Sequence, residues 1–539
     1  MGIAARSRPA RGNALSRVTR TPSDTRHRLA ADQLVLLAIA ALLILAGAMR
    51  REFLGDGVRH LPAILSSRIQ PGEPRWLLFP PLANVWIRLL LAIGVAGDAE
   101  STLRALLVSS IASGIVFLVA LRAWLRSECG DNSRRAAALF LAGSCGPFLI
   151  LFTDVAEPPV AAAIAAAGLA YARACRDDSQ HGARAAYGAI AAIAIASMIY
   201  QGVILALGMV PLVVSTKTIT RRRLVLATGI AVLAVMMAMA AVEVGRGTSA
   251  IAAAATVVRG EHNPLMRSMM AAASPLKYAA AVLAGPPQGI VALDNYGGLR
   301  ALQSSVGRGD RTAVVNVVLL LVGLLVTGVL FLRGVRDRQW SVLAAAVVLL
   351  ALPVIRNQQY AYVKFYVLWP IPVALLALRC HSRTIFAAAA IVLAANGWLL
   401  TEQIRRGREN YSHARAAFAS ASPSTCWFTS GWTPPFAYLW PGSATPMLGT
   451  LGTGTEPDVQ RAALTAALRR CFCESAAVWT DTTMRDGQVV RSVADHFEYS
   501  RIDFASVLID PNEAGGNPVP GIWAYSAPAR DRACRAVSR

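Results

Sequence analysis

Charge is what this sequence has least of. Only 16% of its 539 residues are Asp, Glu, Lys or Arg, against a hydrophobic share of 55% and a mean hydropathy of +0.47. A soluble globular chain carries about 25% charged residues, so this balance points to a membrane protein. Lysine is scarcer still, confined to Lys217, Lys277 and Lys364. The net charge of +22 is therefore almost all arginine. These arginines cluster between apolar runs and not on one soluble face, which fits loops on the inner side of a membrane and argues against nucleic acid as a partner. A phosphate-cradling glycine-lysine loop, a dinucleotide glycine fingerprint after a strand, a Ser-His-Asp set and internal repeats are all missing. The glycines of Gly449-Thr450-Leu451-Gly452-Thr453-Gly454 lack the strand–turn–helix setting that would give them a phosphate.

What is present is a series of apolar runs. At roughly 17–25 residues per crossing, the candidate spans are 34–49, 103–122, 136–152, 159–175, 185–200, 203–215, 224–243, 312–332, 340–355, 362–379 and 384–401. The basic connectors Arg122 to Arg135, Arg173 to Arg184, Lys217 to Arg223, Arg333 to Arg338 and Arg379 to Arg383 belong inside. That places 153–158, the break at Tyr200-Gln201-Gly202, the stretch 244–311, the link 356–361 and everything after 402 outside. Two apolar stretches read as half-inserted or surface-lying. Trp76 to Gly97 carries Pro80-Pro81 and Arg88, and Leu276 to Leu293 is interrupted by Gly285-Pro286-Pro287. The expected architecture is an all-α polytopic membrane bundle of about 11–13 helices with a small C-terminal extracytoplasmic α/β domain. Its expected units are a disordered cytoplasmic tail over 1–29, a membrane domain over 30–401 and a soluble domain over 402–539, with the bundle in the inner (plasma) membrane.

In the last unit, strand-like pieces fall at 475–480 and 504–509 and a helical piece at 457–470. Cys426, Cys471, Cys473 and Cys534 lie here. In an oxidising compartment they form two disulfides, with three pairings open. Cys129, Cys145, Cys175 and Cys380 read as plain apolar residues.

Candidate site residues are polar groups on the outer side. Asp56 stands just beyond the first span, in Gly55-Asp56-Gly57-Val58-Arg59-His60. His60 follows it by one helical turn, which sets both on one face of a helical segment. Asp154 and Glu157 share the short link Thr153-Asp154-Val155-Ala156-Glu157-Pro158. Acids and proline favour a helix start, which accounts for Glu157 more readily than for Asp154. Gln201 is either a turn residue or a polar group on the floor of an outward cavity. Arg356, Gln359 and Lys364 form a dense polar cluster; Lys364 either snorkels to headgroups or binds phosphate as a point charge. No histidine or cysteine completes a zinc spacing with His60. No cofactor is certain; a divalent cation, Mg or Mn, held by Asp56 and Asp154 is the one the pattern admits.

The order of these features resembles the type C glycosyltransferases, integral membrane enzymes that use polyprenyl-phosphate-linked sugars. The resemblance rests on Asp56 in the first outer loop, Phe79-Pro80-Pro81-Leu82, Gly97-Asp98-Ala99-Glu100, the acid-bearing link with Asp154 and Glu157, and Lys364-Phe365-Tyr366-Val367-Leu368-Trp369-Pro370. In two of these motifs Phe79 replaces a His and Lys364 replaces an Arg of the family pattern. The resemblance implies inverting sugar transfer on the outer face, with a polyprenyl-phosphate-linked sugar and membrane lipid as partners. Asp56 is then the general base, Asp154 a second catalytic acid, Lys364 and Arg356 the donor-phosphate ligands, and His60, Glu157, Gln201 and Gln359 the cavity lining. The competing reading is a catalytically inactive relative or a lipid-linked glycan transporter.

Overall fold

One buried carboxylate registers the start of the bundle. In the computed structural model Asp32, fully buried in the first turn of α1 (Ala31–Met49), meets Arg122 at 3.1 Å, Arg126 at 3.2 Å and Arg135 at 3.4 Å. Arg122 and Arg126 end α4 (Ala99–Glu128), and Arg135 lies in the first turn of α5 (Asn132–Ser144). These contacts define one end of the bundle, called the Asp32 end below. The residues described are 29–51, 53, 60–65, 76–94, 98–178, 180–215, 217–245, 287–292, 311–356, 366–419, 425–428, 470–481, 504–506, 522–525, 531 and 534–535. The tail expected over 1–29 lies almost wholly outside them, as does the helix expected at 457–470.

Local chemistry sets the helix boundaries. Asp98 caps α4 by accepting from Ser101 N at 2.6 Å, while the Ser101 hydroxyl accepts from Asp98 N at 3.0 Å. This reciprocal box satisfies two donors that the helix itself leaves unpaired. Asp131 caps α5 by accepting from Ser133 N and Arg134 N. Pro147 opens α6 (Gly146–Leu151) and Pro158-Pro159 opens α7 (Pro158–Ala174), where a missing N–H costs nothing. The run then continues with α8 (Gly182–Ile199), a 3-10 segment (Gln201–Met209), α9 (Val210–Val213) and α10 (Arg221–Gly245). Further on come α11 (Arg311–Arg336), α12 (Trp340–Arg356), α13 (Pro370–Ala377) and α14 (Ser382–Ala419). Six described helices, α1, α4, α8, α10, α11 and α14, are long and apolar enough to cross a membrane. Large apolar side chains stand exposed on them, Leu226, Leu233, Leu325 and Leu332 among them. In water that surface is unfavourable at about 25 cal/mol per Å²; in lipid it is at home. The chain is a multi-pass membrane bundle.

Two short helices stand apart. α2 (Leu61–Ile64) and α3 (Phe79–Ala92) meet the bundle at the end opposite Asp32. Leu78 N donates to Met198 O near the end of α8, Trp86 Nε1 donates to Ala105 O near the start of α4, and Asn84 Nδ2 donates to Ile64 O. The first half of α3 is thus pinned at this end of the bundle. Its outward stripe of Leu82, Val85, Trp86 and Leu89 is exposed, the pattern of a helix resting in a membrane interface.

The second half-inserted stretch penetrates further. Residues 287–292 are buried, with Ile290, Val291 and Ala292 at 0–1% exposure. Irregular backbone at such depth needs internal partners, and Asn396 of α14 supplies them. Its Nδ2 donates to Ser144 O and Ile290 O, both at 2.8 Å, and its Oδ1 accepts from Ala292 N at 3.0 Å. Gly146 N donates to Ile290 O at 2.9 Å. A Cβ on Gly146 would stand 2.6 Å from Ala292 N, so the approach of these two backbones requires glycine there.

Several expectations change. The single span expected over 136–152 is two helices, α5 and α6, broken at Cys145, and the one expected over 203–215 is a 3-10 segment followed by the short α9. Of the span expected over 362–379, the described part is α-helical over Pro370–Ala377, after a turn at 366–369, because Pro370 and Pro372 have no N–H to donate into a preceding helical ladder. The helix expected to end near 401 runs on to Ala419, so the change of composition at 402 falls inside one continuous helix. Beyond it, four strands form a mixed sheet in the order β1 (Thr425–Phe428), β2 (Ala477–Asp481), β4 (Ile522–Tyr525), β3 (Phe504–Ser506). β1 and β2 are parallel, with Thr425 opposite Ala477, and the other pairs are antiparallel. Disulfides join Cys426 to Cys471 and Cys473 to Cys534, one of the three open pairings.

Candidate functional site

At the end of the bundle opposite Asp32, charged side chains are buried together. Arg50 follows α1 with extended backbone and is 2% exposed. Its Nη1 donates to Thr153 O at 2.9 Å and to Thr153 Oγ1 at 3.2 Å, and its Nη2 lies 3.4 Å from Asp154 Oδ2. Asp154, at 0% exposure, also accepts from Val155 N through Oδ1 at 2.7 Å. The link between α6 and α7 is itself tied down, since Thr153 Oγ1 donates to Leu149 O at 2.7 Å. Removing one partner of such a buried pair costs about 3–5 kcal/mol, because the other charge is left uncompensated.

A second pair lies beside the first. His60 Nε2 is 3.0 Å from Glu157 Oε1, and both residues are buried. The imidazole meets Trp76 edge-on at 5.0 Å and Phe79 at 5.6 Å. Glu157 occupies the N-cap position of α7 but makes no capping bond; its carboxylate reaches across to His60 instead. The helix-start reading therefore describes where Glu157 sits and not what it does.

A third group surrounds Glu100 in the first turn of α4. Arg51 lies 3.6 Å and Arg104 3.7 Å from Glu100 Oε1, and the Tyr411 hydroxyl donates to Oε2 at 2.8 Å. Arg104 Nη1 also donates to Arg50 O at 3.2 Å, joining this group to the first. Asp98, just before the helix, is held below the ordinary carboxylate range by the Ser101 backbone N–H it accepts from. Partial burial, aided by the Glu100 carboxylate, raises the Tyr411 phenol above its ordinary value.

The structure thus brings His60, Asp154 and Glu157 to one end. Gln201 is at that end too, half-buried and three residues past Met198, at a break where α8 gives way to 3-10 geometry. Arg356 ends α12; its side chain, with Asp56, Gln359 and Lys364, lies outside the described residues. The helical face expected to join Asp56 to His60 lies outside them too. Sequence reasoning missed Arg50, Arg51, Arg104 and Tyr411. The signal available was Arg50-Arg51 itself, two cations directly after the first apolar span. Among the described residues, no three His, Cys, Asp or Glu side chains gather as a metal would require. Asp154 faces a guanidinium and Glu157 an imidazole.

No family model matches the chain, and no curated protein matches it. Similar folds occur among solved structures. ArnT from Cupriavidus metallidurans, bound to undecaprenyl phosphate, is 15% identical, with a TM-score of 0.43 over 92% of this chain and 98% of that one. The Archaeoglobus fulgidus oligosaccharyltransferase, in complex with Zn and sulfate, is 13% identical, with a TM-score of 0.43 over 84% of this chain and 68% of that one. The same organism's AglB, with an inhibitory peptide and a dolichol-phosphate, is 11% identical, with a TM-score of 0.43 over 92% and 74%.

Proposed function

We propose that this chain transfers a sugar from a polyprenyl-phosphate donor to an acceptor at the Asp154 end of the bundle, which faces the extracytoplasmic side. The observation that carries the reading is the meeting of two acid-bearing segments. Arg50 and His60 flank the stretch containing Asp56, and they engage Asp154 and Glu157 respectively. First-loop and second-link motifs, far apart in sequence, come to one place.

Two features support the orientation. The disulfides of the C-terminal sheet belong to an oxidising compartment, and α14 approaches that sheet past Glu100, at the Asp154 end. The Asp32 end carries Arg122, Arg126, Arg135 and Arg173, as the inward bias of arginine requires.

In the proposed reaction the Asp56 carboxylate takes the proton of the acceptor hydroxyl. The acceptor oxygen forms a bond to the anomeric carbon as the bond from that carbon to the phosphate oxygen breaks, with inversion. The lipid phosphate leaves as an anion, and Lys364 and Arg356 stabilise its charge. The test is Asp56→Asn in purified, folded protein supplied with polyprenyl-phosphate-linked sugars. Transfer is lost by at least about a hundredfold; undiminished transfer would refute the assignment.

A further inference from the structure

Around the inserted segment 287–292, another set of polar side chains is buried with no hydrogen-bond partner among the described residues. Gln288 is 0% exposed, Thr327 8%, Tyr366 1% and Trp369 1%. Their five polar side-chain atoms, Gln288 Nε2 and Oε1, Thr327 Oγ1, Tyr366 Oη and Trp369 Nε1, have no hydrogen-bond partner among the described residues.

Three independent contacts bring these residues together. Gly289, next to Gln288, packs directly on the Trp369 indole. Tyr366 and Trp369 share one turn, with Trp369 N donating to Tyr366 O at 2.9 Å. On α11, Gly323, Thr327 and Phe331 follow one another at the four-residue spacing that lines one helix face. Gly323 abuts Pro287, whose carbonyl oxygen would stand 2.7 Å from a Cβ there. Phe331 stacks on Trp369 with centroids 6.2 Å apart and planes at 25°. Thr327 therefore lies on the helix face between the Pro287 contact and the Trp369 contact.

The magnitude decides what this means. An unpaired buried donor or acceptor costs about 1–3 kcal/mol, so five cost about 5–15 kcal/mol. That equals the whole stability of a typical domain, about 5–15 kcal/mol. Buried polar groups in folded proteins are satisfied by protein, by ordered water or by a bound molecule in the great majority of cases. The four residues themselves carry no charge, which suits them poorly to a phosphate. An amide, a hydroxyl, a phenol and an indole N–H beside stacked aromatic faces suit neutral hydroxyl oxygens, donating to them and accepting from them.

We propose that Gln288, Thr327, Tyr366 and Trp369 line a buried site for neutral hydroxyl groups, those of a sugar ring or of ordered water. It does not depend on the transfer reaction proposed above, and neither does its test. Purified full-length protein is exposed to X-ray-generated hydroxyl radicals in isotopically heavy water, and oxidation is located by mass spectrometry. Trp124 serves as the internal reference, since it is 1% exposed and its Nε1 donates to Glu128 Oε1 at 3.2 Å. Tyr366 and Trp369 are oxidised about tenfold faster than Trp124, because water held beside a side chain is a local source of radicals. Saturable protection by methyl glucoside or methyl galactoside assigns the site to sugar hydroxyls; no protection assigns it to water. Oxidation no faster than at Trp124 overturns the proposal. The double variant Gln288→Leu/Thr327→Val abolishes the excess labelling, and the wild-type chain decides the question even where that variant does not fold.

Discussion

Replacing Asn396 by Leu tests whether one side chain holds the inserted segment 287–292 in place. The change keeps the approximate volume of the side chain and removes three hydrogen bonds, to Ala292 N, Ser144 O and Ile290 O. Their losses are unequal. Ile290 O keeps its bond from Gly146 N, and Ser144 O lies at a helix end where a neighbouring N–H can partly serve it. Ala292 N is left as a buried donor. One orphaned donor at about 1–3 kcal/mol and two lost bonds at about 0.5–1.5 kcal/mol each give a cost of roughly 2–6 kcal/mol. At about 2 °C per kcal/mol, the unfolding midpoint falls by about 4–12 °C. Size-exclusion of detergent-solubilised protein after heating at stepped temperatures reads this directly. A midpoint equal to that of the wild type would refute the account of Asn396 as the group that satisfies this backbone. Asn396→Asp keeps the acceptor for Ala292 N, and its midpoint falls less.

Other consequences follow from particular contacts. Asp154→Leu removes a carboxylate from beside the buried Arg50 charge and costs about 3–5 kcal/mol, whereas Arg50→Leu/Asp154→Leu recovers most of that loss; equal midpoints for the two variants would contradict the pairing. Cys426, Cys471, Cys473 and Cys534 react with a membrane-impermeant maleimide on intact cells only after reduction, and labelling without reductant would rule out the disulfides. Opening Cys426–Cys471 alone, which closes 45 residues, loosens the sheet by about 4 kcal/mol on the chain-entropy estimate. Asp98→Ala weakens the start of α4 by about 1 kcal/mol. Because the folded-state pKa of Asp98 is lowered, its contribution is complete above the ordinary carboxylate pKa and is lost as pH falls through the folded value. A difference between wild type and variant that grows on acidification would contradict this.

Where apolar length and local breakers acted alone, the sequence was readable. The long spans α1, α4, α8, α10 and α11 and the interruption at Tyr200-Gln201-Gly202 have local causes. The end of α14 did not, because its hydropathy falls near 401 while its helical support continues. Glu402 bonds Arg405 and Arg406, and Arg405 bonds Glu409, pairs that stabilise a solvated helix without any apolar run. The charged site was half legible. Asp154, Glu157 and His60 stand out as polar residues beside apolar spans, but their partners are set by packing. Arg50 lies 103 residues from Thr153 and Tyr411 lies 311 from Glu100, distances over which no periodicity reports. The disulfide pairing was closed to sequence for the same reason.

The length of α14 has a mechanical consequence. Its 38 residues span about 57 Å at 1.5 Å each, while the hydrocarbon core of a bilayer is about 30 Å thick. The helix is gripped deep in the bundle at Asn396 and again at Tyr411, before the sheet begins. From Asn396 to Tyr411 is about 22 Å of rigid rod, so a tilt of about 5° shifts the Tyr411 hydroxyl by about 2 Å. That is enough to break its 2.8 Å bond to Glu100, the carboxylate shared by Arg51 and Arg104. Whatever tilts α14 is thus transmitted, as by a lever, to the guanidinium groups that border the acid-bearing end.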